Sequence, residues 1–247
     1  MTAAAHEGSP EDDVATRGDL WSMIHAERAA LAEELAGLDD EAWRTPSLCT
    51  GWSVQDVVAH LTAGASTGRW AWLRSIVAAG FDADKHNARR LAEHRGPDPA
   101  DTLRRFRAVV DSRVAPSGDT AAWLGEVVVH AQDVRRPLGI TTVPPVATLT
   151  PVARFFAAKD FAVNSRSTAR GLRLVATDGP FAAGSGPEVH GTTLALVMVM
   201  AGRASFCDEL SGGGVAIVRD RLAPPGTSPR RLLRGIRAEG GQRGDVT

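Results

Sequence analysis

Up to about residue 168 the apolar residues of this chain recur every three or four positions, whereas from Gly171 onward they alternate and are interspersed with glycine. A helix repeats every 3.6 residues and a strand every 2, so the change divides the chain into a helical part and a mixed part. In VATRGDLWSMIHAERAALAEELAGL (14–38), Leu20, Ile24, Leu31, Leu35 and Leu38 fall at helical spacing, and the helix is expected to stop near Gly37 and Asp39. A loop with Pro46 and Gly51 follows, and Ser53 then stands three residues before Asp56. That spacing lets the hydroxyl accept an orphan amide hydrogen bond at a helix start. The second helix is expected from about Val54 to Ala79, the third over 99–114, and the fourth over 119–138, where Pro137 and Gly139 stop it. Four long helices in succession predict a bundle.

TTVPPVATLTP (141–151) reads as a linker and PVARFFAAKDFAVNSRSTA as one more helix. LRLVAT (172–177) alternates as a strand does, Asp178 and Gly179 form a turn pair, and FAAGSGPEVHG supplies further short strands, with GSGPEVHG read as a hairpin. TLALVMVMAGRASFCDEL is expected to be helical with a break at Gly202, while SGGGVAIVRDRL fits strand or helix. The expected fold class is α+β, with a helical bundle over 14–168 followed by a small α/β domain over 169–222. Residues 1–13 and 223–247 are expected to be loosely held tails.

A hydrophobic content of 43% in 247 residues is ample for a buried core. A formal net charge of -1 creates no field to attract nucleic acid or an anionic membrane. The opening MTAAAHEGSPEDD lacks the basic start and apolar stretch of an export signal, and LALVMVMA (194–201) is far too short to span a bilayer. A cytoplasmic protein without nucleic-acid or membrane partners is the expectation. Cys49 and Cys207 fit no disulfide framework, which favours a reducing compartment and free thiols.

GEVVVHAQDVRRPLG (125–139) poses the functional question, because Glu126, His130 and Asp133 are set among valines at intervals of four and three. At 100° per residue, His130 lies about 40° and Asp133 about 20° to either side of Glu126, so the three share a face. The arc of Trp123, Leu124, Val127, Ala131 and Val134 adjoins that face, while Gln132, Arg135 and Arg136 fall on the other side. Unpaired charge beside a packing face is costly and needs a partner. A metal ion is one such partner, since carboxylate and imidazole at i and i+4 can reach a common point. His60, in SVQDVVAHLTAGA at the edge of the Val54, Val57, Val58 and Leu61 face, is the obvious third ligand. Two histidines and one carboxylate leave a tetrahedral ion one open position. Asp133 then suits the task of fixing the tautomer of His130. The plainer reading, a solvated Glu–His pair on a helix, stays open.

PSLCTGWSVQDVVAHL (46–61) followed by GEVVVHAQDVRRPLG resembles the DinB-like superfamily, and more closely the mycothiol-dependent maleylpyruvate isomerase family of actinobacteria. The likeness runs from about residue 14 to 222. It implies a DinB-like four-helix bundle carrying a divalent metal, usually zinc, on His60, Glu126 and His130, with a smaller α/β domain behind it. Thr50 replaces the proline that many relatives carry before the Gly-Trp pair. The family's C-terminal arginine, which faces the active site, matches Arg203 in MAGR best, implying a catalytic and cofactor-binding role there.

A metal lowers the pKa of a coordinated thiol. The resemblance therefore implies an enzyme in which mycothiol, as thiol cosubstrate, attacks a small electrophilic substrate, leading to thiol transfer or to addition–elimination isomerisation. Two alternatives stand beside it: metal-assisted hydrolysis with Asp133 as base, and a non-catalytic small-ligand-binding helical module. The electrophile and the oligomeric state are open at this level. Cys49 reads as an unreactive loop thiol, the tryptophans as packing anchors, and the absence of tyrosine removes it from any acid/base role.

Overall fold

The computed structural model describes residues 15–68, 91–115 and 117–223. The expected second helix beyond residue 68, Trp70 and Trp72, and the tails at 1–13 and beyond Ala223 lie outside the described residues.

Helix α1 (Arg17–Ala36) opens with a capping box in which the Thr16 hydroxyl accepts from the Asp19 amide and the Asp19 carboxylate accepts from the Thr16 amide. Replacing Thr16 with Ala is expected to cost about 1 kcal/mol in urea unfolding, because an orphan amide loses its acceptor. A short α2 (Asp40–Arg44), capped by Asp39, buries Trp43 and has too few residues to show a period. The Ser53–Asp56 spacing does form a reciprocal box at the start of α3 (Val54–Ser66).

Helix α4 (Pro99–Arg107) ends earlier than its apolar pattern implies. The buried Arg28 guanidinium takes the Val109 and Ser112 carbonyls at 3.3 and 2.8 Å, and those carbonyls sit in turns. Burial pushes this guanidinium down to about 10.

Helix α5 (Thr120–Arg135) precedes α6 (Val146–Ala158), so much of the expected linker at 141–151 is helical, with Pro151 inside the helix. Proline removes one backbone donor there, but the helix buries Leu149, Val152, Ala153 and Phe156, and packing of that extent outweighs a single lost bond. The expected continuous helix after it is broken. Ser165 Oγ donates to the Lys159 carbonyl, and Asp160 accepts from the amide and hydroxyl of Ser167. These local bonds compete with the helical ladder, and only Ser165–Ala169 resumes as α7.

Strands β1 (Arg173–Ala176), β2 (Ala182–Gly184) and β3 (Glu188–Gly191) form a sheet in the order β2-β1-β3, with β2 antiparallel and β3 parallel to β1. The GSGPEVHG segment is thus not a hairpin. It loops around the start of β1, with Gly184 and Gly186 at φ of 76° and 124°. A side chain at either position would collide with the Leu172 or Gly171 carbonyl, so glycine is required there by close approach as well as by φ. Helix α8 (Thr193–Met200) is buried throughout, a 3-10 turn covers Ala204–Glu209, and the ambiguous last segment is helix α9 (Val215–Leu222).

The architecture is α+β. Helix α1 packs on α4 and α5, α3 packs on α4 and α5, α6 joins α5 to α8, and α8 lies against the sheet. One hydrophobic cluster runs from Leu20 to Val218. Among the described residues, no helix is long and apolar enough to cross a membrane.

Candidate metal centre

Helix α5 is enclosed by α1, α3 and α6, and that position overturns part of the helical-wheel reading. Arg135 is fully buried rather than on a polar face, and its guanidinium bonds Glu34 at 2.8 Å and Glu27 at 3.3 Å. Gln132 is buried too and donates to the Thr142 carbonyl. Of the three residues assigned to the far side, only Arg136 is exposed.

The packing of α3 on α5 brings His60, Glu126 and His130 together. Glu126 Oε1 lies 2.6 Å from His60 Nε2 and 3.4 Å from His130 Nε2, and the two rings meet edge to face at 4.9 Å. His60 also touches the Trp52 ring at 5.0 Å. The cluster is open on one side, since the His60 and Glu126 side chains keep 23% of their surface and His130 keeps 12%. One donor atom from each of the three residues lies within 4.8 Å of the other two. Two imidazole nitrogens and a carboxylate oxygen suit a divalent ion such as zinc, so the residues present fit the group that the family resemblance implies.

Behind this cluster Asp133 is completely buried. Its Oδ2 accepts from His130 Nδ1 at 2.9 Å and from Arg203 Nη2 at 2.5 Å, and its Oδ1 accepts from Arg203 Nε at 2.9 Å. Arg203 follows α8, so the C-terminal part of the chain reaches into the centre, and its Nη1 is taken by the Ala201 carbonyl. Cys49 completes the group. Its Sγ donates to Asp133 Oδ2 at 3.1 Å and lies 3.5 Å from His130 Nδ1 and from Arg203 Nη2. Eighty-four residues separate Cys49 from Asp133, so no spacing rule connects them, and the only cue in the sequence was the loop's position just ahead of the His60 helix.

Electrostatics follow this geometry. Burial pushes the Glu126 carboxyl up, but the charge and hydrogen bond of His130, together with His60, outweigh it and hold the carboxyl well below its ordinary range. Burial pulls the His130 imidazole down, but Glu126, Asp133 and Cys49 raise it well above 6.5. Asp133, opposed by burial and favoured by His130 and Arg203, titrates at about 2. The His190 ring, by contrast, pairs with Glu188 at the surface.

The site is thus two histidines and a carboxylate facing one another across adjacent helices. Residues 24–135 match the family model of the mycothiol maleylpyruvate isomerase N-terminal domain, so the helical part of this chain is similar to that domain. Among solved structures, the mycothiol-dependent maleylpyruvate isomerase is 17% identical, with a TM-score of 0.55 over 80% of this chain and 93% of that one. A histidine-to-alanine variant of that enzyme is 16% identical, with a TM-score of 0.54 over the same shares. No curated protein is significantly similar to this sequence.

Proposed function

We propose that this chain is a metal-dependent enzyme that uses a low-molecular-weight thiol, mycothiol, to act on a small electrophilic substrate by thiol transfer or addition–elimination isomerisation. The observation that carries the reading is the convergence of His60, Glu126 and His130 on an opening to solvent, backed by a buried Asp133. The match of residues 24–135 to the mycothiol maleylpyruvate isomerase N-terminal domain supports the thiol, and the proposed scaffold is a DinB-like four-helix bundle in a cytoplasmic protein. When bound at these three residues, a divalent ion, zinc by preference, supplies the Lewis acidity that turns a thiol into a thiolate at neutral pH.

The chain's own residues prepare that centre. Asp133 holds a proton on His130 Nδ1, which leaves Nε2 as the donor facing His60 and Glu126. Arg203 neutralises Asp133 and has each of its nitrogens engaged, so its catalytic and cofactor-binding assignment is best recast as action through Asp133. The Trp52 ring supplies an apolar wall beside His60. Hydrolysis is the weaker reading, because the base assigned to it, Asp133, has no exposed surface and is committed to His130 and Arg203.

Metal analysis of protein purified without chelators is expected to find about one divalent ion per chain. Turnover of a panel of small electrophiles is expected to require mycothiol. Turnover of esters or amides without thiol would overturn the reading in favour of a hydrolase, and ligand-induced thermal shifts without turnover would favour a binding module.

The raised His130 imidazole adds a dependence on pH. The ring binds metal only after losing its Nε2 proton, so metal uptake releases protons and weakens as pH falls. Zinc affinity, followed by chelator competition, is expected to rise with pH from 6 upward, by at most about tenfold per unit for a single displaced proton.

A further inference from the structure

Cys49 plays no part in the proposed chemistry, yet it is held in a specific place. Its loop is tied down at both ends. Ser47 bonds the Trp52 carbonyl through its amide and its hydroxyl, both at 2.8 Å, Trp52 N–H returns to the Cys49 carbonyl at 3.0 Å, and Val54 N–H reaches the Thr45 carbonyl. The Cys49 amide donates to Ser47 Oγ at 3.1 Å. The neighbouring Leu48 N–H donates to the Asp133 carbonyl at 3.1 Å, in the last turn of α5, where carbonyls have no helical partner. One loop therefore grips the backbone and the side chain of the same aspartate.

The direction of the thiol decides its role. Sγ lies against Nδ1 of His130, on the edge of the ring away from the Nε2 that faces Glu126. It donates to Asp133 and accepts from Arg203. Cys49 Sγ, His130 Nδ1 and Asp133 Oδ2 are themselves close enough to hold a cation, but the Arg203 guanidinium already brings a positive charge to the sulfur and the carboxylate. The thiol is left as a hydrogen-bonding group.

We propose that Cys49 is a positioning residue: its thiol and Arg203 together fix the buried Asp133 carboxylate in the rotation that receives His130 Nδ1, and so hold the imidazole in register with His60 and Glu126. A carboxylate free to rotate would exchange its oxygens and let the ring turn. Four donors, three on Oδ2 and one on Oδ1, prevent this. The consequence for zinc rests on the metal centre proposed above, whereas the effect on the ring does not.

The test compares Cys49→Ala, which removes the donor, with Cys49→Ser, which restores one. In metal-free protein, proton NMR is expected to show a downfield His130 Nδ1–H protected from solvent exchange. The signal should exchange at least about tenfold faster in the alanine variant and recover in the serine variant. Zinc binding, measured by chelator competition, should weaken about 10-fold in Cys49→Ala and by much less in Cys49→Ser. An alanine variant with unchanged exchange would overturn the proposal, as would a folded serine variant that behaves like alanine. If the unaltered protein binds no zinc, the metal reading fails on its own, and the proton signal still decides the role of Cys49.

Discussion

A Glu126→Gln protein is expected to lose the proposed metal while keeping its fold, and with the metal all of the proposed thiol-dependent turnover. The change is isosteric and removes the one anionic donor of the cluster, the oxygen 2.6 Å from His60 and 3.4 Å from His130. An amide oxygen is a far poorer partner for a divalent ion than a carboxylate. Loss of a group that merely supports a ligand weakens binding by about 10- to 100-fold, so loss of the ligand is expected to exceed about 100-fold. Elemental analysis of the variant, purified in parallel with the unaltered chain, would show it directly, and His60→Ala should behave alike. The fold should survive because the cluster lies at an opening, whereas the cohesion of α5 comes from Leu124, Val127, Val128 and Val134 in the core. A variant that retained a full equivalent of ion would remove the basis of the proposed enzyme.

That the three residues could be picked from the sequence has a physical reason. Glu126 and His130 are one helical turn apart, and a regular helix converts such spacing into proximity without help from the rest of the chain. His60 was legible for a weaker reason, because it edges an apolar stripe that has to pack against another helix. Arg135 was misplaced by the same reasoning. A wheel assigns charged residues to the wet face, but the side of α5 that carries Arg135 is covered by α1, whose Glu27 and Glu34 pair with two of the guanidinium nitrogens. Pro151 misled in the opposite direction. Local propensity marked a linker where the burial of Leu149, Val152 and Phe156 sustains a helix. Cys49 shares neither spacing nor stripe with its partners, and only tertiary structure brings a loop thiol to Asp133. The hairpin read into GSGPEVHG failed because glycines that permit a tight turn equally permit the chain to pass around a neighbouring strand.

Arg203→Met is expected to be the most destabilising single change at the centre. Asp133 has no exposed surface, and among the described residues Arg203 supplies two of its four side-chain hydrogen bonds together with the only permanent positive charge that touches it. Removing one member of a buried ion pair costs about 3 to 5 kcal/mol, because the remaining charge is stranded away from water. The effect has a definite dependence on pH. In the folded protein the Asp133 carboxyl titrates at about 2 against an ordinary 3.8. Its stabilising contribution is therefore complete above the unfolded value and is lost as pH falls through the folded one. Urea unfolding at pH 7 should show the full deficit of Arg203→Met, and the gap to the unaltered protein should narrow between about pH 4 and 2 as protonation removes the charge that the arginine balances. The double variant Arg203→Met, Asp133→Asn should recover a large part of the loss at neutral pH, since neither charge then needs a partner. A deficit that stayed constant from pH 7 to 2, with no recovery in the double variant, would assign the arginine to packing between α8 and α5 and not to the charge on Asp133.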